Sequence, residues 1–425
     1  MLRGPENELH KAASRGSITR AVALLSSGSI GIDAGDPEGF APLMLAAGKG
    51  HAQIVRILLN RGAGLAAVND NGAAALHIAS QNGHPAVAKM LVDGGADVEA
   101  VMLTALGSRP LHLAAGEGHS EVMRVLIEAG ADPDSRRSDG ATPLFATMYQ
   151  GHIGATRELL RAGANPLLTM TDELGNTGVP LDAAVTNGHL DVVREVIDRL
   201  GVEGCGGASA GVDALRQAAG YQHLGILSML TDAGMLDTGE AVIEAAVYGR
   251  EASLRFLLRR HWRQTPGERA YINGICDSSG KTLLFCSIAN WRHNTTRIMR
   301  LLVNAGADVQ SAVRLTGAGN RVVFDDTPLA FAEFFLRVKK RAGEDATEEQ
   351  LQQLEAVRRL LLQVEVIHAT SWLWPSASSF VSAEEDSRRT TEASTPLREM
   401  LPILRRRAGR SGVLLAALFR YSKHP

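Results

Sequence analysis

Along much of this chain, apolar and polar positions follow a helical period that breaks at short intervals and then restarts. Val87, Met90 and Leu91 fall on one face of a helix, as do Val122, Val125 and Leu126 further on. Each such run follows a shorter apolar stretch rich in small residues, such as Ala46 with Ala47 or Ala114 with Ala115, which predicts a first helix that packs closely on a neighbour. A glycine closes that first helix at Gly50, Gly83, Gly118 and Gly151, where a tight turn calls for left-handed backbone. The second helix ends at Gly-Ala-Asp, at Gly95–Asp97, Gly130–Asp132 and Gly306–Asp308. The unit is therefore helix, turn, helix and extended loop.

The unit recurs. APLMLAAGKGH (Ala41 to His51), AALHIASQNGH (Ala74 to His84), RPLHLAAGEGH (Arg109 to His119), TPLFATMYQGH (Thr142 to His152), VPLDAAVTNGH (Val179 to His189) and DALRQAAGYQH (Asp213 to His223) are copies of one phrase. Anchored on the leading apolar residue, the units begin at Leu9, Leu43, Leu76, Leu111, Leu144, Leu181, Leu215, Val242, Leu284 and Leu329. The first six spacings are 34, 33, 35, 33, 37 and 34 residues, and the last three are 27, 42 and 45. One such unit cannot bury its own apolar face, so neighbours must stack into a quasi-one-dimensional array. A Thr-Pro-Leu start predicts a hydroxyl N-cap with proline at the first helical position.

This pattern resembles the ankyrin repeat, from Glu8 to Val364 and most closely from Leu43 to His223. The resemblance implies an all-α solenoid of about ten helix-turn-helix units with short hairpin loops, the last three degenerate, over residues 5–370. It also implies a non-catalytic module that binds proteins through a concave groove and its loop tips. Some ankyrin arrays are hydroxylated on an Asn after Gly-Ala-Asp-Val; the matching residues here are Ala66, Glu99, Asp134, Leu167 and Gln310, so no such site carries over.

In this family partners are usually held by two variable residues just before the closing glycine. Carried over, the candidate partner-binding residues are Lys49, Gln81, Asn82, Glu117, Tyr149, Gln150, Asn187, Tyr221, Tyr248 and Asn290. Three of the five tyrosines of the chain fall in this set. Tyrosine gives a large contact area with a polar end at low entropic cost. The other reading of these rings is packing against neighbouring helices. Asp36, Glu38, Asn69, Asn71, Arg137 and Asp139 are loop-tip candidates, or ordinary solvated polar residues.

Catalytic, nucleotide and metal chemistry find little footing. Nine of the thirteen histidines occupy two fixed places in the repeat, where a backbone hydrogen bond explains them better than metal ligation. Gly280-Lys281-Thr282 lacks the earlier glycine of a phosphate loop, Ile275 standing in its place, and leads into Leu283-Leu284 of a repeat. Gly207-Ala208-Ser209-Ala210-Gly211 spells a nucleophile elbow but is expected in a loop, with no strand before it. Cys205, Cys276 and Cys286 are too few for a disulfide framework or a zinc site, which points to a reducing compartment. Arg3 is followed by no apolar core region, so no secretory signal is expected, and no stretch has the roughly 18 apolar residues of a membrane span. No enzyme activity, cofactor or metal is expected, and the location read is intracellular, cytoplasmic or nuclear.

Charge changes the picture at one end. The chain carries 44 basic and 46 acidic residues, a net −2 that excludes a chain-wide nucleic-acid footprint. Residues 397–425 hold seven basic residues against Glu399, which leaves −8 on the rest. Between them, residues 371–396 are rich in Ser, Thr and Glu and read as a flexible linker. The basic tail has three readings: docking on the acidic array, attachment to an acidic membrane or complex surface, or disorder. The second makes the chain a targeting protein, the alternative to an interaction scaffold. Near the array's end, Thr347 to Gln350 forms a capping box ahead of Leu351 to Val364, with Glu348, Glu349, Gln352, Gln353, Arg358 and Arg359 as a polar outer face.

Overall fold

The computed structural model describes residues 5–26, 31–103, 106–171, 175, 177–235, 239–264, 272–273, 282–289, 295–309, 313–316, 322–333, 336 and 348–371. It forms two compact units, Met1–Glu244 and Ala245–Pro425.

In the first unit the predicted helix pairs are α1 (Pro5–Arg15) with α2 (Ile18–Ser26), α3 (Pro42–Gly48) with α4 (Ala52–Asn60), and α5 (Ala75–Gln81) with α6 (Pro85–Asp93). There follow α7 (Pro110–Gly116) with α8 (Ser120–Glu128), α9 (Pro143–Gln150) with α10 (Ile153–Arg161), α11 (Pro180–Thr186) with α12 (Leu190–Gly204), and α13 (Gly207–Gly220) with α14 (Leu224–Asp232). The odd-numbered helices pack side by side in one layer and the even-numbered ones in a second. This is the helical ankyrin stack that the repeat implies. Ala46, Ala47, Ala79, Ala114 and Ala115 are wholly buried, which lets the inner helices approach closely. Leu43, Leu76, Leu111 and Leu144 from the inner layer meet Ile54, Leu58, Leu91 and Leu126 from the outer one in a continuous core.

Both Thr-Pro-Leu starts carry the expected hydroxyl cap: Thr142 Oγ1 accepts from Phe145 N–H at 3.2 Å, and Thr327 Oγ1 from Ala330 N–H at 3.4 Å. At α5, α7 and α11 the first residue is Ala74, Arg109 or Val179, which offers no hydroxyl. There the third helical residue reaches back instead. His77 Nδ1 accepts from Ala74 N–H at 3.2 Å, His112 Nδ1 from Arg109 N–H at 3.3 Å, and Asp182 Oδ2 from Val179 N–H at 3.1 Å.

Two further expectations are corrected. Gly207 to Gly211 is not a loop but the opening of α13, entered through Gly206 at φ 103° and preceded by the helical α12. Asn69 is no solvated tip residue: it is buried, and its Oδ1 accepts from Asn71 N–H at 3.1 Å and Ala73 N–H at 2.9 Å, closing its loop. Asp36 does the same for Glu38 N–H and Phe40 N–H at 3.0 and 2.9 Å.

The second unit contains helices Glu251–Gln264, Leu283–Ala289, Thr295–Asn304 and Glu348–Ser371. Trp262 and Arg263 lie in the last turn of the first of these helices. Strands Val313–Thr316 and Val322–Asp326 form an antiparallel hairpin, for which the sequence pattern gave no expectation. Phe285 and Phe331 pack with ring centroids 4.1 Å apart, and Leu354, Val357 and Leu361 of the last helix are fully buried. That helix runs through Ser371, one residue into the expected linker. Its polar face is not all outward: Gln353 accepts from Thr296 Oγ1 at 2.9 Å, and Arg358 pairs with Glu333 at 3.0 Å. The rest of the linker and the basic tail lie outside the described residues.

Candidate functional site

The ends of the inner helices are held by a repeating polar lock. Each turn histidine donates from Nε2 to a carbonyl at the end of the preceding inner helix: His51 to Ser14 at 3.2 Å, His84 to Gly48 at 3.1 Å, His119 to Gln81 at 3.1 Å. The series continues with His152 to Gly116 at 3.1 Å, His189 to Tyr149 at 2.9 Å and His223 to Thr186 at 3.0 Å. The ring lies against the closing glycine of the preceding repeat. At Gly151 (φ 82°) an added Cβ would stand 2.5 Å from His189 Nδ1, so glycine is needed both for its backbone and for its missing side chain.

A second set of histidines ties helix starts to the loop ahead. With Nδ1 accepting, Nε2 carries the proton and donates from His77 to Ala100 O at 2.9 Å and from His112 to Ser135 O at 3.1 Å. His10 reaches Phe40 O at 3.0 Å in the same way. Burial holds both imidazoles below the ordinary histidine range, His112 at about 4. Neutral, doubly engaged rings are structural pins. Between loops, Glu99 accepts from Asp132 N–H at 2.9 Å and Asp134 from Asn165 N–H at 2.8 Å, so the residues aligned with the hydroxylated Asn brace the next repeat.

On this fixed backbone Lys49, Gln81, Asn82, Glu117, Tyr149, Gln150, Asn187, Tyr221 and Tyr248 all carry exposed side chains. Asn290 lies outside the described residues. Tyr149 and Tyr221 are 50% and 56% exposed, which rejects full packing between helices. Each ring still has a base: Tyr149 stacks on Phe145 and Tyr221 on His223, both with centroids 6.3 Å apart. Two candidates are less available, because Asn82 and Asn187 fold back to donate to Ile78 O and Ala183 O at 2.8 and 2.9 Å. Gln81 and Tyr149 also lend their carbonyls to the lock, which holds their Cα positions.

Position-by-position reading missed Ile153 and Leu224, exposed at the starts of α10 and α14. The signal was present, since the residue after each turn histidine is Ala52, Pro85, Ser120, Ile153, Leu190 and Leu224 in succession. Loop tips also differ from expectation, with Val101, Leu103 and Leu106 exposed.

The sites weighed for other chemistry have structural occupations. Thr282 O accepts from Cys286 N–H at 2.9 Å at the start of helix Leu283–Ala289, while Gly280 and Lys281 lie outside the described residues. Cys205 and Cys286 are buried and in no disulfide, and burial pushes the Cys205 thiol up to about 11, far from a reactive thiolate. Among the described residues no helix is long and apolar enough to cross a membrane.

Helix pairs locked by turn histidines and joined by short loops have the geometry of ankyrin repeats. The family model for ankyrin repeats (3 copies) matches residues 9–102 and 111–205. Among curated relatives, an ankyrin repeat, SAM and basic leucine zipper domain-containing protein 1 from Callithrix jacchus is 40% identical over 57 residues. That stretch is 13% of this chain and 12% of the relative. Repeats of this family are generally protein-protein interaction modules and typically non-catalytic.

Proposed function

We propose that this chain is a non-catalytic scaffold that binds a protein partner through the exposed ends of its inner helices. The supporting observation is that two half-exposed rings sit on a fixed base: His189 holds the Tyr149 carbonyl, and Tyr221 stacks on the ring of His223. Such a surface loses little entropy on binding. Lys49, Gln81, Glu117 and Gln150 extend it as polar contacts, and Tyr248 is an exposed candidate in its own unit. The test replaces Tyr149, Tyr221 and Tyr248 with Ala in the full chain, then compares partners recovered by affinity purification and mass spectrometry. Selective loss of one partner with a nearly unchanged melting curve is expected. Loss of stability without selective loss of binding would sink the assignment.

The excess of positive charge in residues 397–425 favours a second reading, in which the tail attaches the array to an acidic surface. Deleting those residues separates the two. Unchanged distribution with retained partner capture removes the tail reading.

A further inference from the structure

The two sides of each helix-helix turn change character part-way along the first unit. In three repeats the flanking residues are Lys49 with Ala52, Asn82 with Pro85, and Glu117 with Ser120. In the next three they are Gln150 with Ile153, Asn187 with Leu190, and Tyr221 with Leu224, and Tyr149 stands one residue before Gln150. Ile153 and Leu224 are 37% and 38% exposed, beside the half-exposed tyrosines. Contacts join them into one strip. His189, next to Leu190, donates to Tyr149 O at 2.9 Å; Leu190 Cδ2 lies 3.3 Å from where a Cβ would stand on Gly225; the Tyr221 ring stacks on His223. Isolated apolar residues on a surface need no explanation, but a strip across consecutive repeats marks an interaction site.

Negative charge gathers on the inner helices of two of these repeats and on the next helix, Glu240–Val247. Asp182 on α11, Asp213 on α13 and Glu240 and Glu244 on that next helix are answered by Arg216, which lies 3.5 Å from Asp213 and 3.3 Å from Glu244. Asp182 Oδ1 is buried with no hydrogen-bond donor among the described residues. Burial raises the carboxyls of Asp182 and Glu244 above their usual range, so a cation arriving beside them would relieve a cost already present. At 1.5 Å per helical residue, Asp213 lies about 12 Å from Tyr221 along α13. That separation matches the reach of one short helical or extended segment crossing both features.

We propose that this strip docks a basic amphipathic segment of a protein partner, its apolar side on Tyr149, Ile153, Leu190, Tyr221 and Leu224 and its Arg or Lys side chains over the carboxylates. Charge complementarity selects the occupant: four carboxylates against one guanidinium repel an acidic segment and steer a basic one. The inference rests on the scaffold reading above and names the chemistry of its partner.

The test is fluorescence anisotropy with the full chain and three labelled probes of about 18 residues, roughly five helical turns. One places Leu on one face and Arg on the other; the second replaces Arg with Glu; the third scrambles the first so that no apolar face forms. The Leu/Arg probe should bind about tenfold tighter than either control. Tyr149→Ser combined with Tyr221→Ser should weaken it about tenfold, the scale of one interface anchor. Asp213→Asn combined with Glu240→Gln should weaken it and flatten its salt dependence, whereas Lys89→Ala with Asp93→Ala, an exposed pair on α6 outside the proposed surface, should leave it unchanged. Circular dichroism melts confirm that each variant folds. Equal binding of the Leu/Glu probe, or indifference to the tyrosine pair, overturns the proposal. A native partner that crosslinks at Gln81 or Glu117 and ignores Tyr149 and Tyr221 also overturns it, while leaving the scaffold reading intact.

Discussion

The two units hold themselves together by different means. In the first, repeats meet through small polar keys: a histidine ring against a glycine, its Nε2 on a carbonyl about 3 Å away, repeated from His51 to His223. In the second, bulk takes over, with Phe285 against Phe331 and Leu354, Val357 and Leu361 buried from the long last helix. One polar clamp persists there: Asn273 accepts from Asp308 N–H at 2.7 Å and donates to Gly306 O at 3.3 Å. Keyed contacts demand the same residue at the same place in every repeat, so they keep a sequence periodic. Apolar bulk can be rearranged, and there the spacing drifts to 42 and 45 residues.

Acid should expose that contrast most strongly. His112 is buried and neutral, with Nδ1 and Nε2 both engaged, and Arg137 and Arg109 add to the burial that holds it at about 4. Unfolded histidine titrates near 6.5. The unfolded chain therefore binds the proton first, and the stability this ring contributes is complete above about pH 6.5 and lost as pH falls towards 4. The loss is on the order of 3 kcal/mol for His112, and His77 adds to it in the same direction. Hydrogen exchange at pH 4.5 and 7.5 should show protection falling in α5 to α8 before it falls in helices Leu283–Ala289 and Thr295–Asn304. A parallel loss in both units would break the contrast. His112→Gln should start less stable but show a shallower pH slope.

That contrast also explains what could be read in advance. The helix pairs from Leu43 to His223 were legible because a glycine, a histidine and a small-residue helix face recur at fixed offsets, each answering a contact with the next repeat. The hairpin Val313–Thr316 with Val322–Asp326 was not, because it falls within a drifting spacing and obeys no repeat rule. Helix starts were half legible: proline marked the position, but the acceptor moved from a hydroxyl to His77, His112 or Asp182. In the candidate site, exposure of Tyr149 and Tyr221 followed from register alone. The back-bonding of Asn82 and Asn187 did not, since an amide side chain has several local acceptors and only geometry chooses among them.

Paired glycine substitutions sharpen the argument about keys. Gly151 and Gly163 have nearly the same backbone, φ 82° and 86°, but His189 stands beside the first and nothing lies within 4 Å of the second. Gly163→Ala should cost about 1–2 kcal/mol, the ordinary price of a left-handed alanine. Gly151→Ala adds displacement of the His189 ring and its bond to Tyr149 O, about 1 kcal/mol more. Urea melts of the two variants measure the difference directly. Equal losses would mean that the ring swings aside freely and that the lock contributes nothing beyond glycine's backbone.

The smallest effect lies where the series stops. Among the described residues Gln222 alone has a positive φ, 65°, without being glycine, and it occupies the closing-glycine position of its repeat. The repeat that follows carries Arg250 at the turn position in place of histidine. If the six preceding glycines are kept chiefly to make room for a ring, a side chain at position 222 meets no such demand and carries only backbone strain. Gln222→Gly should then relieve about 1–2 kcal/mol of left-handed strain while the freer unfolded chain takes back about 0.5–1 kcal/mol. A net gain of roughly 0.5 kcal/mol is expected, visible as a small rise in the urea midpoint with unchanged slope. The reverse change, Gly151→Gln, should cost more than this gain by the full weight of the displaced histidine. If the two exchanges instead balance, backbone conformation alone selects glycine at these turns, and the keyed contact is a consequence of the repeat rather than its cause.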